Sequence, residues 1–172
     1  MGGVGVQIVT EAEHGLDFEA FFETEFERLF QTLYLICGDR AEAEDLAQET
    51  MARLYERWDR VTAAENPSAY LYTSAFNLHR RRLRRLVLSR RTNSKPNESS
   101  PDPAHVVETR TEVLRLLASL PRAQREALVL VEWLGLTTEE AGRVLGIEAV
   151  SVRGRLHRAR AALRERFGGI DE

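Results

Sequence analysis

The stretch TNSKPNESSPDPAH, Thr92 to His105, constrains this chain more than any other. It is polar, rich in proline and serine and without apolar period, so it cannot contribute to a core and reads as a solvated linker. The chain on either side must therefore bury its own apolar residues, and two small units follow instead of one. The expected division is a flexible N-terminal segment 1–16, a first domain 17–91, a flexible linker 92–106 and a second domain 107–168. The 14 linker residues, fully extended at about 3.3 to 3.6 Å each, reach roughly 45 to 50 Å. The two units can then sit far apart.

Both units read as helical, and no segment alternates long enough for a strand, so the expected fold class is all-α. Asp17 can cap a helix whose Phe18, Phe21, Phe22, Phe26, Leu29, Phe30, Leu33, Tyr34 and Ile36 recur at helical spacing, with Gly38 ending it. Asp39 and Glu42 form a D-x-x-E start for a second helix, with Leu46, Ala47, Met51, Leu54, Tyr55 and Trp58 on one face. Asn66 as N-cap and Pro67 at the first helical position open a third, which buries Leu71, Ala75, Leu78, Leu83 and Leu86 and runs to Arg91. These three make a helical bundle. After the linker, VVETRTEVLRLLASL and RAQREALVLVEWLG are amphipathic, the second closed by Gly135. Thr137 and Glu140 then form a T-x-x-E capping box, a short helix ends near Gly146, and a longer basic helix follows. That is a helix-turn-helix pattern.

The charge is sorted along the chain. Between Glu11 and Glu65 stand 15 acids and 5 arginines, whereas Asn77 to Arg91 holds seven arginines and no acid, and Arg143 to Arg166 holds 7 arginines and 2 acids. Such asymmetry points to different partners on different surfaces. In the last helix Val152, Leu156 and Leu163 suit a core face, leaving Ser151, Arg153, Arg155, Arg158 and Arg160 outside. A helix fits the major groove, where arginine forks meet guanine edges or phosphates. Beside the other basic run, Tyr70, Tyr72 and Phe76 offer aromatic faces, which suit unstacked single-stranded bases if they are not core. The acidic strip AEDLAQET repels phosphate and suits a protein partner or simply solvent.

Other chemistries find little support. The histidines, His14, His79, His105 and His157, stand far apart with no acid or cysteine at ligand spacing, and there is no glycine-rich phosphate loop, so neither metal nor cofactor is expected. Cys37, the single cysteine, excludes a disulfide framework and reads as a buried thiol of a reducing compartment. No nucleophile and base accompany the carboxylates, so no enzyme is expected. No signal-peptide pattern or membrane span is seen, and a cytoplasmic protein without membrane insertion is expected.

Three stretches, AEAEDLAQETMARLYERW, NPSAYLYTSAFNLHRRRLRR and LPRAQREALVLVEWLGLTTEEAGRVLGIEAVSVRGRLHRARAALR, resemble in order the motifs of bacterial sigma factors of the extracytoplasmic-function group. The resemblance spans about Phe18 to Arg91 and Val113 to Arg166. It implies a promoter-specificity subunit whose partners are core RNA polymerase (clamp helices of the largest subunit, flap of the second largest), promoter DNA and an anti-sigma protein. Asp45, Gln48 and Glu49 would meet the clamp helices. Loop Val61 to Ser68 with Tyr70, Tyr72, Phe76 and Asn77 would open the -10 element and capture a flipped base, and Arg80, Arg81, Arg84 and Arg85 would hold the adjacent backbone. Ser151, Arg153 and Arg155 would read the -35 element, with Arg158 on phosphate. The chain departs from the family pattern at Tyr70, where a tryptophan is common, in AFNLHRRR, at Glu148 in a capping position, and at Gly154 within the recognition helix. Two other readings compete: a sigma-like adaptor that opens no promoter, and a regulator using the helix-turn-helix alone.

Overall fold

The computed structural model describes residues 16–92 and 112–167. Eight α-helices make up these residues: α1 (Phe18–Cys37), α2 (Arg40–Tyr55), α3 (Trp58–Thr62), α4 (Pro67–Thr92), α5 (Glu112–Ala118), α6 (Arg122–Leu128), α7 (Thr138–Leu145) and α8 (Ala149–Phe167). A π turn, Val129–Trp133, continues α6. No strand occurs among the described residues, which agrees with the all-α expectation. None of their helices is long and apolar enough to cross a membrane. The expected segment 1–16 lies almost wholly outside the described residues, as does most of the linker.

Local chemistry sets the helix ends. The Asp17 carboxylate accepts from the Ala20 amide, Asp39 from Glu42 at 2.8 Å and Asn66 from Ala69 at 2.9 Å, each satisfying an amide that the helix leaves unpaired. Gly38 and Gly146 end α1 and α7 in the left-handed region at φ 70° and 67°, where a side chain would be strained. Thr137 and Glu140 close a reciprocal capping box on α7.

Two expectations need correction. The second helix does not continue through Trp58: it stops at Tyr55, the chain turns, and Trp58 starts α3. Tyr55 is consequently 65% exposed, while the Trp58 ring packs at 5.2 Å from both Phe18 and Phe21 and its indole N–H donates to the Leu16 carbonyl. Leu86 was expected in the core but is exposed with Val87 and Leu88, because α4 outruns the helices it packs on.

The two halves do not stand apart. Helix α1 packs on α5, α6 and the π turn, and α4 packs on α7. One apolar cluster runs through both halves, from Phe21, Leu29 and Leu33 through Leu71 and Phe76 to Leu130, Val144 and Val152. Arginines fasten the seam from both sides. Arg28 of α1 donates to the Leu134 carbonyl at 2.9 Å, and Arg125 of α6 donates to the Ile36 carbonyl at 2.7 Å. Each half thus caps a carbonyl at a helix end of the other, where the helix dipole favours a cation.

Candidate functional site

The acidic strip lies on α2. Leu46, Ala47, Thr50, Met51 and Leu54 are buried, and this turns Glu44, Asp45 and Gln48 outward, all exposed. Glu49 is held differently. Its carboxylate accepts from Arg53 at 2.6 Å and from Arg82 of α4, whose hydrogen bond leads in holding the Glu49 carboxyl below its ordinary range. Arg82 therefore faces α2 instead of solvent. Sequence reasoning missed it because it lies inside a uniform arginine run, where only its spacing from Leu78 and Leu71 hints at an inward face.

Helix α4 separates its aromatic residues from its cations. Tyr72 is 3% exposed and Phe76 1%, both packed with Leu71, Ala75 and Leu78. Neither ring can stack on a base in this arrangement, so both are corrected from base-capture candidates to core residues. The stripe Tyr72, Ala75, Phe76 and His79 has helical spacing and was readable as a buried face. The Tyr72 hydroxyl donates to Glu25 at 3.4 Å and Ser68 donates to the same carboxylate at 2.7 Å, tying the first turns of α4 to α1. Burial, with the Glu25 charge, pushes the Tyr72 hydroxyl pKa up. Tyr70 is half-buried, Asn77, Arg81, Arg84 and Arg85 are exposed, and Arg80 is intermediate. Tyr70, Asn77 and Arg81 line a cleft of ≈ 1310 Å³ that also touches Glu49, Leu134 and Arg143. The cleft lies between the halves.

Helix α8 crosses α6 and α7 through Val152, Leu156 and Ala159, all buried. Ser151, Arg153 and Arg158 are exposed on its other side, and Arg155 is intermediate. Arg153 donates to Thr138 at 3.2 Å and to Glu139 at 3.3 Å, so its guanidinium is held against the start of α7. Arg160 pairs with Glu132 of the π turn.

Glu126 of α6 is buried beside Arg122. Its Oε1 has no hydrogen-bond partner, and the Arg122 Nε lies 3.6 Å away. Burial pushes its carboxyl pKa up against the opposing pull of Arg122, Arg80, Arg155 and Arg125. A carboxyl whose folded pKa exceeds its unfolded one weakens folding above the folded pKa. That penalty vanishes as pH falls below the unfolded value near 4.3. Glu126→Gln is therefore expected to melt above the parent chain at about pH 8, with the gap closing toward about pH 4. A calorimetric pH series in which the gap stays constant would contradict this.

The described residues thus carry an exposed acidic strip, a basic helix face beside an interdomain cleft, and a basic helix-turn-helix. Comparison with known proteins gives matches on both halves. The family description Sigma-70 region 2 matches residues 21–88 and Sigma-70, region 4 matches residues 110–163. RNA polymerase sigma-E factor of Streptomyces avermitilis is 32% identical over 167 residues, covering 92% of this chain and 90% of that protein. ECF RNA polymerase sigma factor SigL of Mycobacterium tuberculosis is 33% identical over 135 residues, 75% of this chain and 76% of that one. Among solved structures, the sigma factor RpoE in complex with the anti-sigma factor NepR from Bartonella quintana has a TM-score of 0.73 at 22% identity, covering 91% of this chain and 99% of that one. CnrH in complex with the cytosolic domain of CnrY has a TM-score of 0.61 at 24% identity, covering 90% and 89%. At these identities the two structures speak for the fold alone.

Proposed function

The chain belongs to the extracytoplasmic-function group of the sigma-70 family and is a promoter-recognition subunit of RNA polymerase, and from this premise we propose which of its surfaces meets which partner. The observation that carries the assignment is the sorting of charge onto separate faces: carboxylates outward on α2, arginines outward on α4 and α8. Residues 17–91 take the polymerase and the -10 element, and residues 107–168 take the -35 element.

Asp45 and Gln48 are exposed and face the clamp helices of core polymerase, with Glu49 contributing at the edge of the strip. Asn77, Arg81, Arg84 and Arg85 hold the separated strand of the -10 element, with Tyr70 as the remaining aromatic beside them. Opening a promoter costs base stacking, and a protein lowers that cost only by binding the single strand better than the duplex. Arg80, half-buried, stands at the edge of this surface. On α8, Ser151, Arg153 and Arg155 read base edges and Arg158 meets phosphate. Phosphate neutralisation by these arginines makes promoter affinity fall steeply with salt. The chain works in the cytoplasm and acts by binding, without catalysis of its own. An anti-sigma protein is its expected regulator, in keeping with the anti-sigma factor NepR bound to RpoE.

The test is in vitro transcription with core polymerase on fragmented host DNA. The parent chain is expected to yield discrete start sites, and the Asp45/Gln48/Glu49 triple alanine variant to lose them, with core affinity down about tenfold or more, equivalent to about 1.4 kcal/mol. Start sites that persist in the variant would place the polymerase contact elsewhere. Core binding by the parent chain without any start site would favour the adaptor reading.

A further inference from the structure

Three helices bring together side chains that the sequence keeps apart. Cys37 ends α1, Glu42 lies in the first turn of α2, and His79 stands within α4. The Cys37 Sγ lies 3.8 Å from the His79 Nδ1, and the Glu42 Oε1 lies 3.9 Å from the same nitrogen. All three ligand atoms fall within 4.8 Å of one another. The nitrogen-to-oxygen separation is too long for a hydrogen bond, whose N···O distance runs to about 3.2 Å. It is close instead to the roughly 3.3 to 3.6 Å that separates two ligands held tetrahedrally at about 2.0 to 2.3 Å from one metal ion. His79 is 4% exposed, and the long 3.8 Å hydrogen bond between its Nδ1 and the Cys37 sulfur holds thiol and imidazole together beside the Glu42 carboxylate.

Glu42 supplies a second observation. Two helices begin with an acid three residues after the N-cap, and in α7 the Glu140 carboxylate reaches back to the Thr137 amide at 2.8 Å. In α2 only half of that box forms: the Asp39 side chain accepts from Glu42, but the Glu42 carboxylate points to His79 instead of closing on the cap. A local bond that the sequence offers is thus given up for a place beside the imidazole and the thiol.

We propose that Cys37, Glu42 and His79 form a binding site for one divalent ion of zinc-like character, with a water as the fourth ligand. The donor set of one sulfur, one nitrogen and one oxygen suits Zn²⁺ better than Mg²⁺ or Ca²⁺, which take oxygen. Binding replaces the thiol proton, which leaves to solvent as the sulfur–metal bond forms. The resulting thiolate and the carboxylate together match the charge of the ion. The His79 ring is buried, with its Nδ1 turned toward both the Cys37 sulfur and the Glu42 carboxylate. Arg82 and Arg125 stand near Cys37, and Arg80 and Arg122 stand near His79. They oppose a cation, and burial with the Glu42 and Asp39 charges pushes the Cys37 thiol up, which Arg125 and Arg82 offset only in part, so the ion must displace a firmly held proton. This makes the site weaker than a closed four-ligand structural zinc centre.

The experiment titrates the full, reduced, chelator-treated chain with Co²⁺ as a coloured probe and then displaces it with Zn²⁺. The expected result is one Co²⁺ per chain, with a thiolate-to-cobalt charge-transfer band and the strong visible bands of a tetrahedral ion, both lost on adding Zn²⁺. Cys37→Ser removes the charge-transfer band, and His79→Gln lowers affinity tenfold or more. Because His79 is buried and its variant could fold poorly, Glu42→Gln is the second test: it keeps the Asp39 cap, and circular dichroism should match the parent while Co²⁺ affinity again falls tenfold or more. Absence of the band at saturating Co²⁺ overturns the site. So does a band of unchanged affinity in well-folded Glu42→Gln, which would mark capture by the lone thiol.

Discussion

Phe76→Ala is expected to cost the N-terminal half about 3 to 5 kcal/mol, the range for emptying a buried phenylalanine site. The ring is 1% exposed and is among the largest fully buried side chains of the chain, in the cluster that joins both halves. Domains hold roughly 5 to 15 kcal/mol in total, so the variant should denature at far lower urea, and promoter opening should fail together with folding. If the ring stacked on a base, the same change would leave the denaturation midpoint unmoved and abolish opening alone. Equilibrium denaturation beside a permanganate footprint of the -10 region separates the two outcomes. Tyr72→Phe makes a useful companion, since it keeps the packed ring and removes the hydroxyl with its bonds to Glu25, at 3.4 Å, and to Thr32. Its expected cost is about 1 kcal/mol.

The second large effect is expected at the helix-turn-helix. A Cβ on Gly142 would lie 2.7 Å from the Ile147 carbonyl oxygen and 3.5 Å from the Ala149 amide nitrogen, both backbone atoms of the turn that launches α8. No rotamer relieves such a clash, so the turn itself must move. Gly142→Ala should destabilise the C-terminal half by about 1 to 3 kcal/mol, the ordinary cost of overpacking. It should also tilt α8 enough to weaken -35 binding by more than stability alone accounts for. Gly154→Ala is the control within the same motif. Its Cβ would meet nothing nearer than the flexible Arg158 guanidinium at 3.7 Å, and a helix-interior glycine costs roughly 1 kcal/mol relative to alanine. It should therefore stabilise. Denaturation and duplex-binding curves for both variants decide the matter, and a harmless Gly142→Ala would mean that the turn adapts freely.

What the sequence made legible follows from how far each signal reaches. Caps act within four residues, so Asp17, Asn66, Thr137, Gly38 and Gly146 announced their helix ends and the structure places the ends there. The face of an aromatic residue depends on partner helices, and α4 packs on α2 and α7, with Tyr72 bonded to Glu25 of α1; the choice between core and exposed ring stayed open until those helices were in place. The break after Tyr55 left no glycine or proline to mark it. Trp58 leaves the α2 register to pack on Phe18 and Phe21, a contact settled in three dimensions. The π turn is similarly silent in sequence, arising where the Leu134 amide bonds to the Val129 carbonyl. Cys37, Glu42 and His79 lacked the short spacing that makes ligand sets visible, and the linker, read as letting the halves spread apart, said nothing of the seam that joins them.

That seam makes the partition between packed and parted halves a function of temperature. Separating the halves uncovers apolar surface from the shared cluster, which raises the heat capacity, while the released Ile36 and Leu134 carbonyls and their arginines gain water. The apolar share of the contact is entropic near room temperature and weakens on cooling. Parting the halves therefore costs less in a cooled chain than in a warm one.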